Sequence, residues 1–142
     1  MISLKICGRL TKRKDDSVEL LPQKEVKHMT EKENAFRTLL HEAFWYARDA
    51  HNCVFSDDSY NNGIDKATVL SYAAACTAKY SAATAMYWCS PELEDPDVPR
   101  LLSQFGTYTD EIRADIRDDH SPQWVDIEFE KLKDYFENSR YC

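Results

Sequence analysis

The chain has 142 residues, a formal net charge of −7 and only three glycines. This length suits a single domain with a substantial core, and so few glycines argue against an all-β or loop-rich fold. Five cysteines form no Cys-x-x-Cys pair, and charges interrupt the apolar residues at the N-terminus. These features argue against a secreted, disulfide-bonded protein, so we expect a reduced, cytoplasmic one.

The first 28 residues are predicted to form a β-hairpin or flap. Ile2, Leu4 and Ile6 recur at every second position, which is the period of a strand with one apolar face. Turn-forming residues at 14–17 would connect this strand to a second one at 18–21. Residues 1–30 carry seven Lys or Arg against four Asp or Glu. We expect this basic segment to cover one end of the molecule or to bind through its open edge.

The first of four predicted helices begins at a capping box. Thr30 is followed three residues later by Glu33, so each side chain can accept a hydrogen bond from the other's backbone N–H. The helix is predicted to extend to about His51. Its apolar residues are spaced three and four apart and should face the core: Phe36, Leu39, Leu40, Ala43, Ala47, Ala50 and Val54.

The second helix, predicted over residues 66–89 with Asp65 as its N-cap, should lie at the centre of the molecule. It contains no Gly or Pro, and Lys79 is its one charge beyond the first residue. We expect it to be largely buried, with Cys76 and Cys89 in the core. Its predicted core stripe contains Val69, Tyr72, Cys76, Tyr80, Ala83 and Tyr87.

A second stripe on the same helix consists of small residues, which would let a neighbouring helix approach closely. The stripe contains Ala74, Ala78, Ser81 and Ala85. The helix is nearly long enough to span a bilayer, but its Ser, Thr and Tyr content and Lys79 argue against a transmembrane segment.

Two prolines mark the starts of the remaining helices. Pro99 suits the first turn of a helix that ends near residues 118–120, and Ser121 with Pro122 begins a last helix that ends near Asn138. The predicted core positions are Leu101, Leu102, Phe105, Tyr108, Ile112 and Ile116, then Val125, Phe129, Leu132 and Phe136. The predicted fold is therefore mainly α. It is a four-helix bundle-like single domain over 1–142, with the bundle at 30–138 and a small N-terminal β-hairpin.

One pair of residues suggests catalysis. Arg113 and His120 are separated by six residues at the junction of the third and fourth helices. This spacing resembles the Arg-x(4–6)-His motif of HEPN-type ribonucleases, which are four-helix bundles of similar length. The resemblance implies that His120 would transfer a proton and Arg113 would bind the phosphate. Ala114 stands where that family often has a polar residue, and nearby carboxylates would repel an RNA backbone.

No spacing indicates a metal or cofactor site. His41 and His51 are ten residues apart, which places them nearly three helical turns from each other. No Glu-x-x-His repeat is present, and glycine is too scarce for a phosphate-binding loop. We therefore expect no cofactor and no metal ligands. Cys142, at the end of the sequence, is expected to be an exposed free thiol.

The C-terminal third is strongly acidic. Residues 92–142 carry fourteen Asp or Glu against six Lys or Arg. Carboxylates crowd the third and fourth helices, where they could either solvate the surface or face a basic partner: Asp110, Glu111, Asp115, Asp118, Asp119, Asp126 and Glu130, with Glu128, Asp134 and Glu137.

The functional prediction that follows is binding without catalysis. Toxin-immunity proteins and phage inhibitors of nucleases are small acidic proteins of this kind. The chain would inhibit or adapt a basic, nucleic-acid-handling protein through its acidic helices, with fast association through electrostatic steering. The alternatives are self-association through the hairpin edge and the Ala/Tyr-rich helix, and the HEPN-like ribonuclease. Neither a membrane nor direct nucleic-acid binding is expected.

Overall fold

Helices dominate the computed structural model of the protein, which describes residues 28–56 and 63–142. The described residues form four α-helices and one 3-10 turn. These are α1 (Glu31–Val54), α2 (Lys66–Trp88), the 3-10 turn Pro91–Leu93, α3 (Val98–Asp118) and α4 (Pro122–Glu137). A mainly α fold is thus confirmed. The hairpin predicted at residues 2–21 lies outside the described residues.

The helix starts agree with the local signals in the sequence. The Thr30 hydroxyl accepts from the Glu33 N–H at 3.0 Å, and the Glu33 carboxylate accepts from the Thr30 N–H at 2.9 Å. Asp65 caps α2 by accepting from the Thr68 N–H at 3.1 Å. Because α1 continues to Val54, it is three residues longer than predicted.

Neighbouring helices run antiparallel, in a bundle where α1 lies beside α2 and α4, and α3 lies beside the same two helices. The rings of Phe36, near the start of α1, and Tyr87, near the end of α2, are 6.0 Å apart. At the other end, His51 of α1 bonds to Asp126 in the first turns of α4. The end of α3 and the start of α4 therefore lie at the same end of the bundle as the end of α1.

The apolar stripes of α1, α3 and α4 meet in the core as predicted. All the predicted core residues of α3 and α4 are buried, and so are those of α1 except Leu39, which is partly buried. Phe44 is an additional core residue that stacks on Phe136, with 4.5 Å between ring centroids. Tyr108 donates to the Ala47 carbonyl at 2.7 Å and so joins α3 to α1 across the bundle.

The prediction that α2 is largely buried is wrong, because α2 buries one face only. Val69, Cys76 and Ala83 are completely buried, whereas the whole stripe of small residues is exposed. Cys89 is also exposed, and the Trp88 side chain next to it is 68% exposed. The physical reason is that α2 packs mainly on α1 and α3, with a smaller contact to the 3-10 turn, so no helix of the described residues lies against its outer face. None of the described helices is both long enough and apolar enough to cross a membrane.

The expected exposure of Cys142 is also wrong. The turn after α4 folds back onto the start of α1, where Tyr141 and Cys142 are buried. Arg37 donates to the Cys142 carbonyl at 3.2 Å, and His41 Nε2 donates to the Tyr141 carbonyl at 2.9 Å. Burial, followed by the nearby Arg37 charge, lowers the pKa of His41, so its imidazole is neutral at physiological pH.

Candidate functional site

The carboxylates predicted as a binding surface lie mainly where α3 ends and α4 begins. We call this region the acidic end. It consists of Asp110, Glu111, Asp115, Asp118, Asp119, Asp126 and Glu130.

Three of these carboxylates have a partner within the folded chain. Asp126 pairs with His51 at 2.8 Å, which ties α4 to the end of α1. Asp110 pairs with Arg113 at 3.2 Å, and Glu111 pairs with His120. Within residues 28–56 and 63–142, three other carboxylates have no ion-pair partner: Asp118, Asp119 and Glu130.

The negative side chains at the end of α3 lie at the end of the helix dipole that disfavours them. Free carbonyls give the C-terminus of a helix a partial negative charge, which favours cations there. Asp115 and Asp118 nevertheless lie in the last turn of α3, and Asp119 follows as its C-cap. Asp119 also adopts a left-handed backbone conformation with φ 56°, which is uncommon for a residue with a side chain. These three aspartates therefore oppose the stability of α3.

Asp115 differs from the other carboxylates of the acidic end because it is buried. The residue is 7% exposed, and its Oδ2 atom has no hydrogen-bond partner among the described residues. Burial raises the pKa of Asp115, and the charges of Glu111 and Asp119 raise it further. His120 and Lys66 partly oppose this effect. The sequence-based prediction grouped Asp115 with the surface carboxylates, although its position three residues after Ile112 and seven after Tyr108 places it beside the core stripe of α3.

Exposed apolar side chains lie at the same end of the bundle. Trp124 and Ile127, in the first turns of α4, are 43% and 38% exposed. Phe55, just after α1, is 38% exposed and contacts the His51 ring, with 4.7 Å between centroids. These exposed apolar side chains were not predicted from the sequence. A signal for them was available, because Trp124 and Ile127 fall outside the core stripe of α4 and lie three residues apart, on one helical face.

The two residues of the HEPN-like motif are occupied by other contacts. Arg113 donates to the Thr77 hydroxyl of α2 at 2.7 Å as well as to Asp110. His120 pairs with Glu111 through Nδ1. Arg113 thus joins α3 to α2, and the described contacts do not orient either side chain toward a common substrate. The geometry adds no support to the ribonuclease hypothesis, which stays a prediction.

Other reactive groups do not form a second site in the described parts of the chain. No group of three His, Cys, Asp or Glu residues there is placed to hold a metal ion. Burial raises the pKa of Cys76 to about 12, so its thiol stays protonated and is a poor nucleophile.

The acidic end therefore combines carboxylates that lack partners with exposed apolar side chains and one buried aspartate. An arrangement of this kind can bind a cationic surface, because it offers charge, apolar contact area and an unused hydrogen-bond acceptor. Comparison of the chain with protein-family models, with curated proteins and with solved structures found no significant match in any of the three.

Proposed function

We propose that the protein is a non-catalytic binding protein that engages a basic protein through the acidic end and acts as an inhibitor or adaptor of a nucleic-acid-handling partner. One observation carries the proposal. Trp124 and Ile127 are exposed beside carboxylates that have no ion-pair partner within the described residues. Protein interfaces are commonly built from aromatic and apolar anchors surrounded by a polar rim.

The sign of the charge selects the class of partner. Asp118, Asp119 and Glu130 are exposed, and they would repel a phosphate backbone while attracting Lys and Arg side chains. A protein that normally binds nucleic acid presents such a basic surface, so it is the kind of partner that this charge distribution favours.

The test is capture of partners from a lysate of the native host, with the wild-type chain compared with two variants. The double variant Asp118→Lys/Asp119→Lys reverses the exposed charge at the acidic end. The variant Glu31→Lys reverses a single exposed charge in the first turn of α1, at the opposite end of the bundle, and so makes half of that charge change. We expect the wild-type chain and Glu31→Lys to retain the same basic protein and the double variant to lose it. Equal retention by all three chains would contradict the proposal.

A second candidate function is self-association through α2. The observation that favours it is the exposed outer face of α2, which contains Ala74, Ala78 and Ala85 and lies next to Trp88. Sedimentation equilibrium of the wild-type chain and of Ala78→Arg tests it. A wild-type dimer that the variant converts to a monomer would support self-association. A wild-type monomer throughout the micromolar range would exclude it as the main function.

The HEPN-like ribonuclease is tested by a separate variant. His120→Ala should keep the fold, because the His120 side chain is half exposed and lies between α3 and α4. Cleavage of RNA by the wild-type chain that this variant abolishes would support catalysis and replace the binding proposal.

A further inference from the structure

Three carboxylates of the acidic end lie on one face of α3 and at its C-cap. Glu111 and Asp115 are four residues apart and lie on one helical face, and Asp119 completes a row of three carboxylates because its charge, like that of Glu111, acts on Asp115. The row has a graded exposure. Asp115 in the middle is buried, the Glu111 side chain is 18% exposed, and Asp119 is exposed. The row therefore leads from the surface to a buried oxygen atom.

The buried oxygen is an unused acceptor. Asp115 Oδ2 has no donor within hydrogen-bond distance among residues 28–56 and 63–142. A buried acceptor without a donor costs about 1–3 kcal/mol, and such groups are rare in folded proteins. The like charges of Glu111 and Asp119 add repulsion, which Lys66 at the start of α2 offsets only in part. A cationic donor entering this row would relieve both costs.

His120 already occupies the outer part of the row. Its Nδ1 bonds to Glu111, and its side chain is 50% exposed. The residue lies in the short connection between α3 and α4, so its side chain can turn away without breaking a helical hydrogen bond. The imidazole half of this pair is exposed to solvent, which weakens the pair and makes His120 easier to displace.

From these contacts we propose that Glu111, Asp115 and Asp119 form a binding site for one guanidinium group of a basic protein partner, and that His120 occupies this site until the guanidinium displaces it. The inference rests on the proposed function and names the anchor that the acidic end would recognise.

A guanidinium fits this row better than other cations do. It is planar and carries five N–H donors, so it can bond to two carboxylates at once. A lysine ammonium would supply the charge without the planar fork. A metal ion is not favoured, because the described residues hold no group of three ligands placed for one.

The test uses N-acetyl-L-argininamide as the probe and heteronuclear NMR titration of the full chain as the measurement. The wild-type chain should show saturable shifts of the amides and carboxyl carbons at residues 111–120. The probe N-acetyl-L-lysinamide should bind more weakly. Shifts that are spread over the other acidic surfaces, or an equal affinity for the two probes, would overturn the proposal.

Three variants make the test specific. Asp115→Asn keeps the side-chain shape and should weaken argininamide binding roughly tenfold, as expected for the loss of a buried charged acceptor. Glu111→Gln should also weaken argininamide binding, and it serves as a second variant in case Asp115→Asn changes the fold. His120→Ala should strengthen binding about two- to fivefold, because the probe no longer has to displace a half-exposed imidazole. Weaker binding by His120→Ala, or unchanged binding by both carboxylate variants, would refute the site.

A matched control and a second readout separate this site from the proposed function. Glu31→Gln removes one negative charge at the opposite end of the bundle and should leave the argininamide affinity unchanged. If Asp115→Asn does not alter argininamide binding while Asp118→Lys, which changes no residue of the site, still loses the captured protein, the acidic end binds a partner without this site. If argininamide binds as expected but no basic protein is captured, the site stands and the proposed function fails.

Discussion

Asp115 is the residue whose environment departs most from what its chemistry favours. Its pKa is raised, so the folded state holds its proton more tightly than the unfolded state does. The stability that this proton contributes is complete below the unfolded pKa of the carboxyl and is lost as the pH rises through the folded pKa. Above the folded pKa, the ionised Asp115 therefore destabilises the fold relative to the protonated form.

Asp115→Asn should consequently raise the free energy of unfolding by about 1 kcal/mol at pH 7, because an amide carries no charge and can donate to a neighbouring carboxylate. The gain should shrink as the pH falls below the folded pKa, where Asp115 is already protonated. Urea unfolding at neutral and acidic pH measures both effects. Glu130→Gln, which removes an exposed carboxylate, is the control and should change stability by less than about 0.5 kcal/mol. A destabilised Asp115→Asn at pH 7 would contradict this account.

Tyr108 provides a second test, in which the removal of one hydroxyl group should change the free energy of unfolding. Its hydroxyl is buried and donates to the Ala47 carbonyl, so Tyr108→Phe removes one hydrogen bond between α3 and α1 and little else. We expect a loss of about 1 kcal/mol in chemical unfolding. Tyr135→Phe is the matched control, because Tyr135 is only partly buried. Equal stability of the two variants would show that the Tyr108 bond contributes nothing.

For single residues, the sequence predicts those contacts that form between near neighbours in the chain. The capping box of Thr30 and Glu33 and the N-cap Asp65 were predictable, because each needs only residues within one turn. The burial of Asp115 was not predicted, although Asp115 follows the core residues Tyr108 and Ile112 at steps of seven and three residues. The burial of Cys142, in contrast, depends on contacts with Arg37 and neighbouring side chains of α1.

Among the elements, α2 is the helix whose position the sequence predicted least well. The stripes of α1, α3 and α4 contain large apolar residues on one side and charges on the other, so their buried faces could be read from periodicity. In α2 small residues occupy most positions, and alanine gives little information because it is tolerated both inside and outside. Only the packing on α1 and α3 determines which side of α2 is buried.

Two arginine substitutions in α2 test this orientation. Ala83 is completely buried and Ala78 is exposed. Ala83→Arg should destabilise the fold by more than about 3 kcal/mol, because it forces a charge into the core. Ala78→Arg should stay within about 0.5 kcal/mol of the wild-type chain. Thermal and urea unfolding of both variants distinguishes the two positions. Similar losses for both would mean that the outer face of α2 is covered.

For the whole molecule, the main feature is the group of carboxylates at the acidic end, of which Asp118, Asp119 and Glu130 have no ion-pair partner among the described residues. The sequence showed an acidic C-terminal third, but it could not show which carboxylates are neutralised by distant residues. The pair between His51 and Asp126 joins positions 75 residues apart. The placement of Phe55 at the same end of the bundle as Trp124 and Ile127 likewise follows from the antiparallel packing of α1 and α4. The sequence could therefore predict which carboxylates belong to the candidate site, but only in part how they are paired and which side chains lie beside them.

The negative charge at the acidic end predicts a conflict between the stability of the fold and the binding of a partner. Asp118→Lys replaces a carboxylate in the last turn of α3 with a cation that the helix dipole favours. We expect the free energy of unfolding to rise by about 0.5 kcal/mol at low salt. The same variant should bind the basic partner more weakly. Denaturation combined with capture tests both expectations, and a variant that loses stability would show that Asp118 supports the fold.

Salt elution of the proteins captured by the immobilised wild-type chain tests whether the acidic end holds a basic protein. We expect retention of a basic, nucleic-acid-handling protein at about 50 mM salt and its release by about 500 mM, where charges beyond a few ångströms are screened. Asp118→Lys/Asp119→Lys should capture much less of this protein at the lower salt concentration. Recovery of an acidic protein, of RNA without protein, or of a partner that the charge-reversed variant retains equally well would contradict the proposal.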